Sequence, residues 1–243
     1  MTQQLLNTNE IVPELDTSHI VIEDDTPVDN FQSEKQQRLL VEPLYSSWSP
    51  NSAFIAAANV GVFYGLKQDP LVPDVFLSLH VQMPADWSLK QNRSYFGWEF
   101  GKLPEVCIEI VSNRKGNELD SKQDDYARIG VAYYVVFDPL KQLQGEDELN
   151  GSRLKAWELT GKKYVELAAP LWLESVGLGL TLWDGTFEEQ PGVWLRWCDR
   201  TGQVIPTGAE GLEVERQRAN AAESKAQRLA ERLRAMGVNP DEI

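Results

Sequence analysis

Short apolar runs bounded by Gly, Pro, Asn or Asp occupy the middle of the chain, at 54–66, 71–79, 106–112 and 132–137. Each is rich in β-branched and aromatic residues, which predicts strands. Before them, Ser33 precedes a run of helix formers and predicts a helix over 34–46 with that serine as its cap. A second helix is expected over 117–129, capped by Asn117, with Asp120 at its third position and Gly130 as its stop. The polar, Trp-containing stretch 80–103 interrupts the pattern as an insertion or a long hairpin. Further strands are expected at 154–159, 163–167, 178–183 and 193–198, the first two joined by a turn at Gly161-Lys162. Near the end, Ala219, Ala222, Ala226, Leu229, Leu233 and Met236 fall on a heptad seam. That helix suits packing on the body, packing on a neighbouring subunit, or self-pairing as a coiled coil. The expected class is mixed α/β (α+β): a central mixed sheet flanked by helices, with additional C-terminal strands and a C-terminal helix.

Three polar residues stand where this pattern demands apolar ones. Glu109 lies inside Val106-Cys-Ile-Glu-Ile-Val111, a run apolar at both parities and so expected in a central strand covered on both faces. Asp74 lies inside the apolar run 71–77. Lys122 falls on the inward stripe Leu119, Lys122, Tyr126, Ile129, spaced 3, 4 and 3. Each has a plain structural explanation: Asp74 as a turn cap after Pro73, Glu109 at a solvated sheet edge, Lys122 snorkelling past Tyr126 to water. Together they make a different picture. An uncompensated carboxylate in a core costs several kcal/mol, and two carboxylates are only partly neutralised by one ammonium. A divalent cation would resolve the remainder. With no His adjoining these residues and Cys107 the one thiol near them in sequence, oxygen ligands favour Mg²⁺ or Mn²⁺ over zinc. Two carboxylates, a lysine and such a cation suit phosphodiester hydrolysis by metal-activated water.

Composition narrows the field. The chain has 243 residues with 37 acidic and 23 basic side chains, a net charge of −14. Residues 1–34 hold eight of the carboxylates and no Lys or Arg, which predicts an acidic, weakly ordered leader over 1–33. Subtracting those eight leaves −6 for the rest. Two cysteines and two histidines supply neither a disulfide framework nor a typical zinc site. No apolar run approaches bilayer length, and the N-terminus carries no secretory signal pattern. The expected location is the cytoplasm, with no membrane partner. No Gly-rich phosphate loop appears, and no base is evident for a Ser or Cys nucleophile. Lys90, Arg93, Lys102, Arg114 and Lys115 flank Glu109 in sequence and permit nucleic acid to approach despite the acidic total.

Pro73-Asp74, then Glu109, then a lysine resembles the PD-(D/E)XK nuclease superfamily. More narrowly, Glu109-Ile-Val-Ser112 followed by Glu118-Leu-Asp-Ser-Lys122-Gln-Asp-Asp-Tyr126-Ala-Arg-Ile-Gly130-Val131 resembles the Uma-type restriction endonucleases, abundant in cyanobacteria. Ala132-Tyr-Tyr-Val-Val-Phe-Asp138-Pro139 and the stretch from Val193-Trp-Leu-Arg-Trp197 through the final helix extend that likeness over about 34–240. The resemblance implies a restriction-endonuclease-like core over 34–208, followed by the amphipathic helix of 209–243. It implies that Asp74 and Glu109 bind the metal, with the backbone carbonyl of Ile110 as a further ligand. The superfamily's lysine two residues after the glutamate is here Val111, and Lys122 is its natural substitute. Glu42 and Ser112 are accessory candidates, the serine more for strand geometry than chemistry. The expected activity is a Mg²⁺-dependent DNA endonuclease, with RNA as the other substrate the sequence allows. The competing expectation is a catalytically inert nuclease-fold module that oligomerises, as a homodimer, through its C-terminal helix.

Overall fold

A computed structural model describes residues 30–89, 92–112, 118, 119, 121–237 and 239. Most of the acidic leader, the cap expected at Asn117, Asp120 at its third position, and Lys90, Arg114 and Lys115 lie outside the described residues.

The first helix, α1 (Phe31–Ser46), starts earlier than expected. Asn30 caps it by accepting the backbone N–H of Ser33, and Ser33 itself is buried within the helix. The run 54–66 is broken in two, β1 (Phe54–Ala58) and β2 (Val62–Phe63). The break falls at Asn59, whose φ of 54° is left-handed, a conformation that asparagine adopts more readily than most residues. The strand expected at 71–79 is shortened to β3 (Val75–Leu79), so Asp74 precedes the strand rather than lying inside it. Among its described residues the stretch 80–103 forms no hairpin: β4 (Tyr95–Phe96) pairs in parallel with β2, and the short α2 (Gly97–Phe100) follows.

The centre of the sheet is built from β5 (Val106–Ile110) and β6 (Tyr133–Phe137), with α3 (Ser121–Ile129) between them in the chain. β5 and β6 pair in parallel and every residue of both is buried, as a near-continuous apolar run requires. Parallel neighbours need a crossover, and α3 lies in it. With β7 (Leu154–Thr160) and β8 (Lys163–Glu166), the sheet runs β1-β3-β5-β6-β7-β8, all other neighbours being antiparallel. Glu109 is therefore in the middle of the sheet, not at a solvated edge.

One sheet face packs against α1 and a second sheet, of order β11-β10-β9. Its strands are β9 (Leu171–Leu173), β10 (Leu178–Phe187) and β11 (Gln190–Cys198). Leu40, Leu44, Val75, Ile108, Val135, Leu178 and Trp197 fill this layer. Gln36 fastens α1 to β11: its side-chain amide donates to the Leu195 carbonyl and accepts the Leu195 N–H, both at 2.9 Å. On the opposite face, Tyr126 of α3 packs with Phe76, Cys107, Tyr134 and Val136. The last helix, α4 (Gly208–Ala235), opens on a Thr207–Glu210 capping box and has no buried residue. Its seam therefore does not pack on the body. No helix among the described residues is long and apolar enough to cross a membrane.

Candidate active site

The β3–β5 register pairs Val75 with Ile108 and Phe76 with Cys107. One further step sets Asp74 opposite Glu109. Asp74 sits at the end of the sheet, where side chains from different elements reach it. Its Oδ2 accepts the backbone N–H of Ile110 at 2.6 Å, and its Oδ1 accepts from Gln37 Nε2 of α1 at 3.1 Å. Gln37 also exchanges hydrogen bonds with the side chain of Asn59.

Glu109 is 1% exposed. A carboxylate in that position needs donors, and α3 supplies two of them. Lys122 Nζ lies 3.0 Å from Oε2, and the Tyr126 hydroxyl donates to Oε1 at 2.8 Å. Residues four apart share one helix face, which is why both reach the same side chain. Burial, with Glu109 adding to it, pushes the Tyr126 hydroxyl well above its usual pKa, so it remains a donor. Burial alone would lower the Lys122 pKa, but Glu109, Glu118 and Asp74 outweigh it and leave it raised. The ammonium stays charged at neutral pH while its side chain remains 39% exposed. It is thus both paired and reachable from solvent.

Glu118 stands four residues before Lys122, with Oε1 3.9 Å from Nζ. Its Oε2 is buried without a hydrogen-bond partner among the described residues, and burial raises its carboxyl pKa. The Tyr134 hydroxyl holds the Glu118 backbone carbonyl at 2.6 Å, tying this residue to β6.

The structure brings Asp74, Glu109 and Lys122 together, with the Ile110 backbone fixed between the two acids. It does not bring Glu42 to them. Glu42 Oε1 accepts the N–H of Gly208 at 2.9 Å, at the start of α4. Five residues separate it from Gln37, a rotation of about 140° around the helix, so α1 presents Gln37 to the site instead. Ser112 follows β5, and its carbonyl accepts from Gln142 Nε2 at 2.8 Å. Val111 is buried in the apolar layer. Gln37, Tyr126 and Glu118 were not among the expected site residues. Tyr126 and Glu118 carried a signal, since each lies four positions from Lys122; Gln37 carried only its polarity within an apolar stripe. Among the described residues, no three His, Cys, Asp or Glu side chains gather closely enough to hold a metal ion.

Fold and site define a mixed α+β protein with a carboxylate inside a central strand, a second one just before the neighbouring strand, and a lysine from the crossover helix beside the first. The chain belongs to the Uma2 family, described as "Putative restriction endonuclease", whose profile matches residues 6–174. The match begins within the acidic leader and stops before β10. The chain is similar to a solved structure, "a putative nuclease belonging to DUF820" from Anabaena variabilis ATCC 29413. The two share 15% sequence identity with a TM-score of 0.39, over 60% of this chain and 73% of that one. No curated protein matches the chain in sequence.

Proposed function

We propose that the protein is an endonuclease that hydrolyses phosphodiester bonds of DNA with the help of Mg²⁺ or Mn²⁺. The observation that carries this reading is the buried Glu109 held by Lys122, with Asp74 opposite it at the start of the neighbouring strand. The donor set fits the cation: the Asp74 and Glu109 carboxylates and the Ile110 carbonyl are all hard oxygens. Mg²⁺ is usually bound by only one or two carboxylates, with water and substrate phosphate completing its shell, so a third acidic side chain is not required. When bound, such an ion supplies Lewis-acid polarisation of a phosphoryl oxygen and an acidified water.

The chain's own residues prepare that chemistry. The Ile110 N–H and Gln37 fix the Asp74 carboxylate, and Tyr126 fixes Glu109. Lys122, charged and partly exposed, offers its ammonium to the phosphate or to charge developing on it. The reading includes a cytoplasmic location, which suits two buried thiols that form no disulfide. It also includes self-association through α4, none of whose residues is buried against the body.

Calorimetric titration of the full-length protein with MgCl₂ and with MnCl₂ separates this reading from an inert module. Saturable binding that is lost in Asp74→Asn and in Glu109→Gln is expected. Absence of binding, or binding indifferent to both substitutions, argues for the inert module.

A further inference from the structure

An apolar cleft of about 380 Å³ opens beside the site. Phe76, one of its walls, is paired across the sheet with Cys107, two residues before Glu109. Side chains two apart share a strand face, about 7 Å from one to the next, so the cleft begins one row along from Glu109. Its floor is aromatic: Phe76 meets Tyr95 edge-on with ring centroids 5.2 Å apart, and Tyr95 stacks on Phe100 at 4.5 Å; these contacts bury Phe76 and Tyr95, so the ring surface open to a ligand is that of Trp87.

The rim is a braced loop. The Trp87 indole N–H donates to the Pro84 carbonyl at 2.8 Å. The Arg93 guanidinium donates to the carbonyls of Trp87 and Ser88 at 2.8 and 2.7 Å. Asn92 Nδ2 donates to the Asp86 carbonyl at 2.6 Å. Trp87 is nevertheless 63% exposed. Its polar edge is satisfied while a large apolar surface faces outward beside a fixed cation. A core tryptophan would hide that ring.

Resting on the nuclease reading above, we infer that this cleft binds one unpaired nucleobase of the nucleic-acid substrate next to the bond to be cut. The base is the planar, apolar-faced part of a nucleic acid, and aromatic platforms hold bases by stacking with little regard to sequence. A volume near the lower end of ligand pockets admits a single ring system and no duplex. A base must therefore enter from a bulge, a loop or a single strand, or leave its stack. Arg93 at the rim matches the phosphate charge that accompanies it. The sheet then places the aromatic floor and the two carboxylates in adjacent rows, setting the base beside the reacting phosphate.

The test uses the full chain in chelator and fluorescence anisotropy with three end-labelled duplexes: fully paired, with one bulged nucleotide, and with an abasic residue in the bulge. The bulged duplex should bind about tenfold tighter than the paired one, and the abasic bulge should lose that gain. Trp87→Ala should erase the difference between bulged and abasic duplexes, and Trp87→Phe should keep most of it. Equal binding of bulged and abasic duplexes, or a preference that survives Trp87→Ala, overturns the inference. Cleavage is followed in parallel with Mg²⁺. Cleavage without the bulge preference overturns the base pocket alone, and the preference without cleavage overturns the hydrolytic reading alone. Absence of both overturns both.

Discussion

Lys122 Nζ rests 3.0 Å from Oε2 of Glu109, so that a cation from the crossover helix offsets an anion in a fully buried central strand. Removing one member of a buried pair leaves the other uncompensated, at a cost of roughly 3–5 kcal/mol. The lysine is partly exposed, which lowers the expected loss for Lys122→Met to about 2 kcal/mol. Adding Glu109→Gln to that variant should restore more than half of the loss. Urea unfolding of the two singles and the double checks this; strictly additive losses would contradict it.

The Tyr126 hydroxyl donates to the other oxygen of the same carboxylate. Hydrogen bonds to charged groups contribute about 1.5–3 kcal/mol, so Tyr126→Phe should lower stability by about 2 kcal/mol. Cleavage should weaken without vanishing, because Lys122 and Asp74 keep their places. Thermal unfolding and single-turnover cleavage measure the two effects. A variant as stable as wild type would mean that the bond contributes nothing net.

Glu118 gives a pH dependence of definite sign. Burial raises its folded carboxyl pKa above the ordinary value, so the folded chain holds this proton more tightly than the unfolded one. Its contribution to stability is fully present below the ordinary carboxyl pKa and is lost as pH rises through the raised value. Glu118→Gln, which cannot ionise, should therefore gain stability relative to wild type on going from about pH 4 to about pH 7.5. Denaturant midpoints at the two pH values provide the comparison. A constant difference would contradict the assignment.

The hairpin joining β10 to β11 turns on Glu188 and Glu189, with φ of 46° and 66°. Two-residue hairpins of this shape favour Asn or Gly. Glu188 has a compensating role. It binds Lys35 at 2.6 Å and Arg38 at 2.5 and 2.7 Å on α1, and these partners, Arg38 foremost, hold its carboxyl down to about 2. Glu189→Gly should therefore stabilise the protein by about 1 kcal/mol. Glu188→Gly should gain less, since it also releases α1. Melting temperatures of the two variants should differ in that order; the reverse order would contradict it.

Much of this architecture is written locally in the chain. β6 is legible because five successive apolar or aromatic positions at both parities have no other stable setting, and β5 because Glu109 alone interrupts such a run. The Glu109–Lys122 pair is legible because a charge on each of two inward stripes demands a partner. The place of Glu42 is not legible, for the opposite reason. Its partner, the Gly208 N–H, lies 166 residues away, and no spacing within α1 announces it. Asp74 falls outside the strand that its apolar neighbours suggest, since pairing starts only at Val75. β9 has three residues and too little pattern to be seen. β10 and β11 run further than their apolar stretches because the turn geometry, not hydrophobicity, carries their pairing out to Phe187 and Gln190.

The central claim is metal-dependent hydrolysis at Asp74, Glu109 and Lys122. The most direct measurement incubates full-length protein with supercoiled plasmid and with DNA and RNA oligonucleotides, in Mg²⁺, Mn²⁺ or chelator, beside Asp74→Asn and Glu109→Gln. The account predicts DNA cleavage in either metal, none in chelator, and a loss of at least about a hundredfold in each variant. Cleavage that persists in chelator, or that both variants perform as well as wild type, would contradict it.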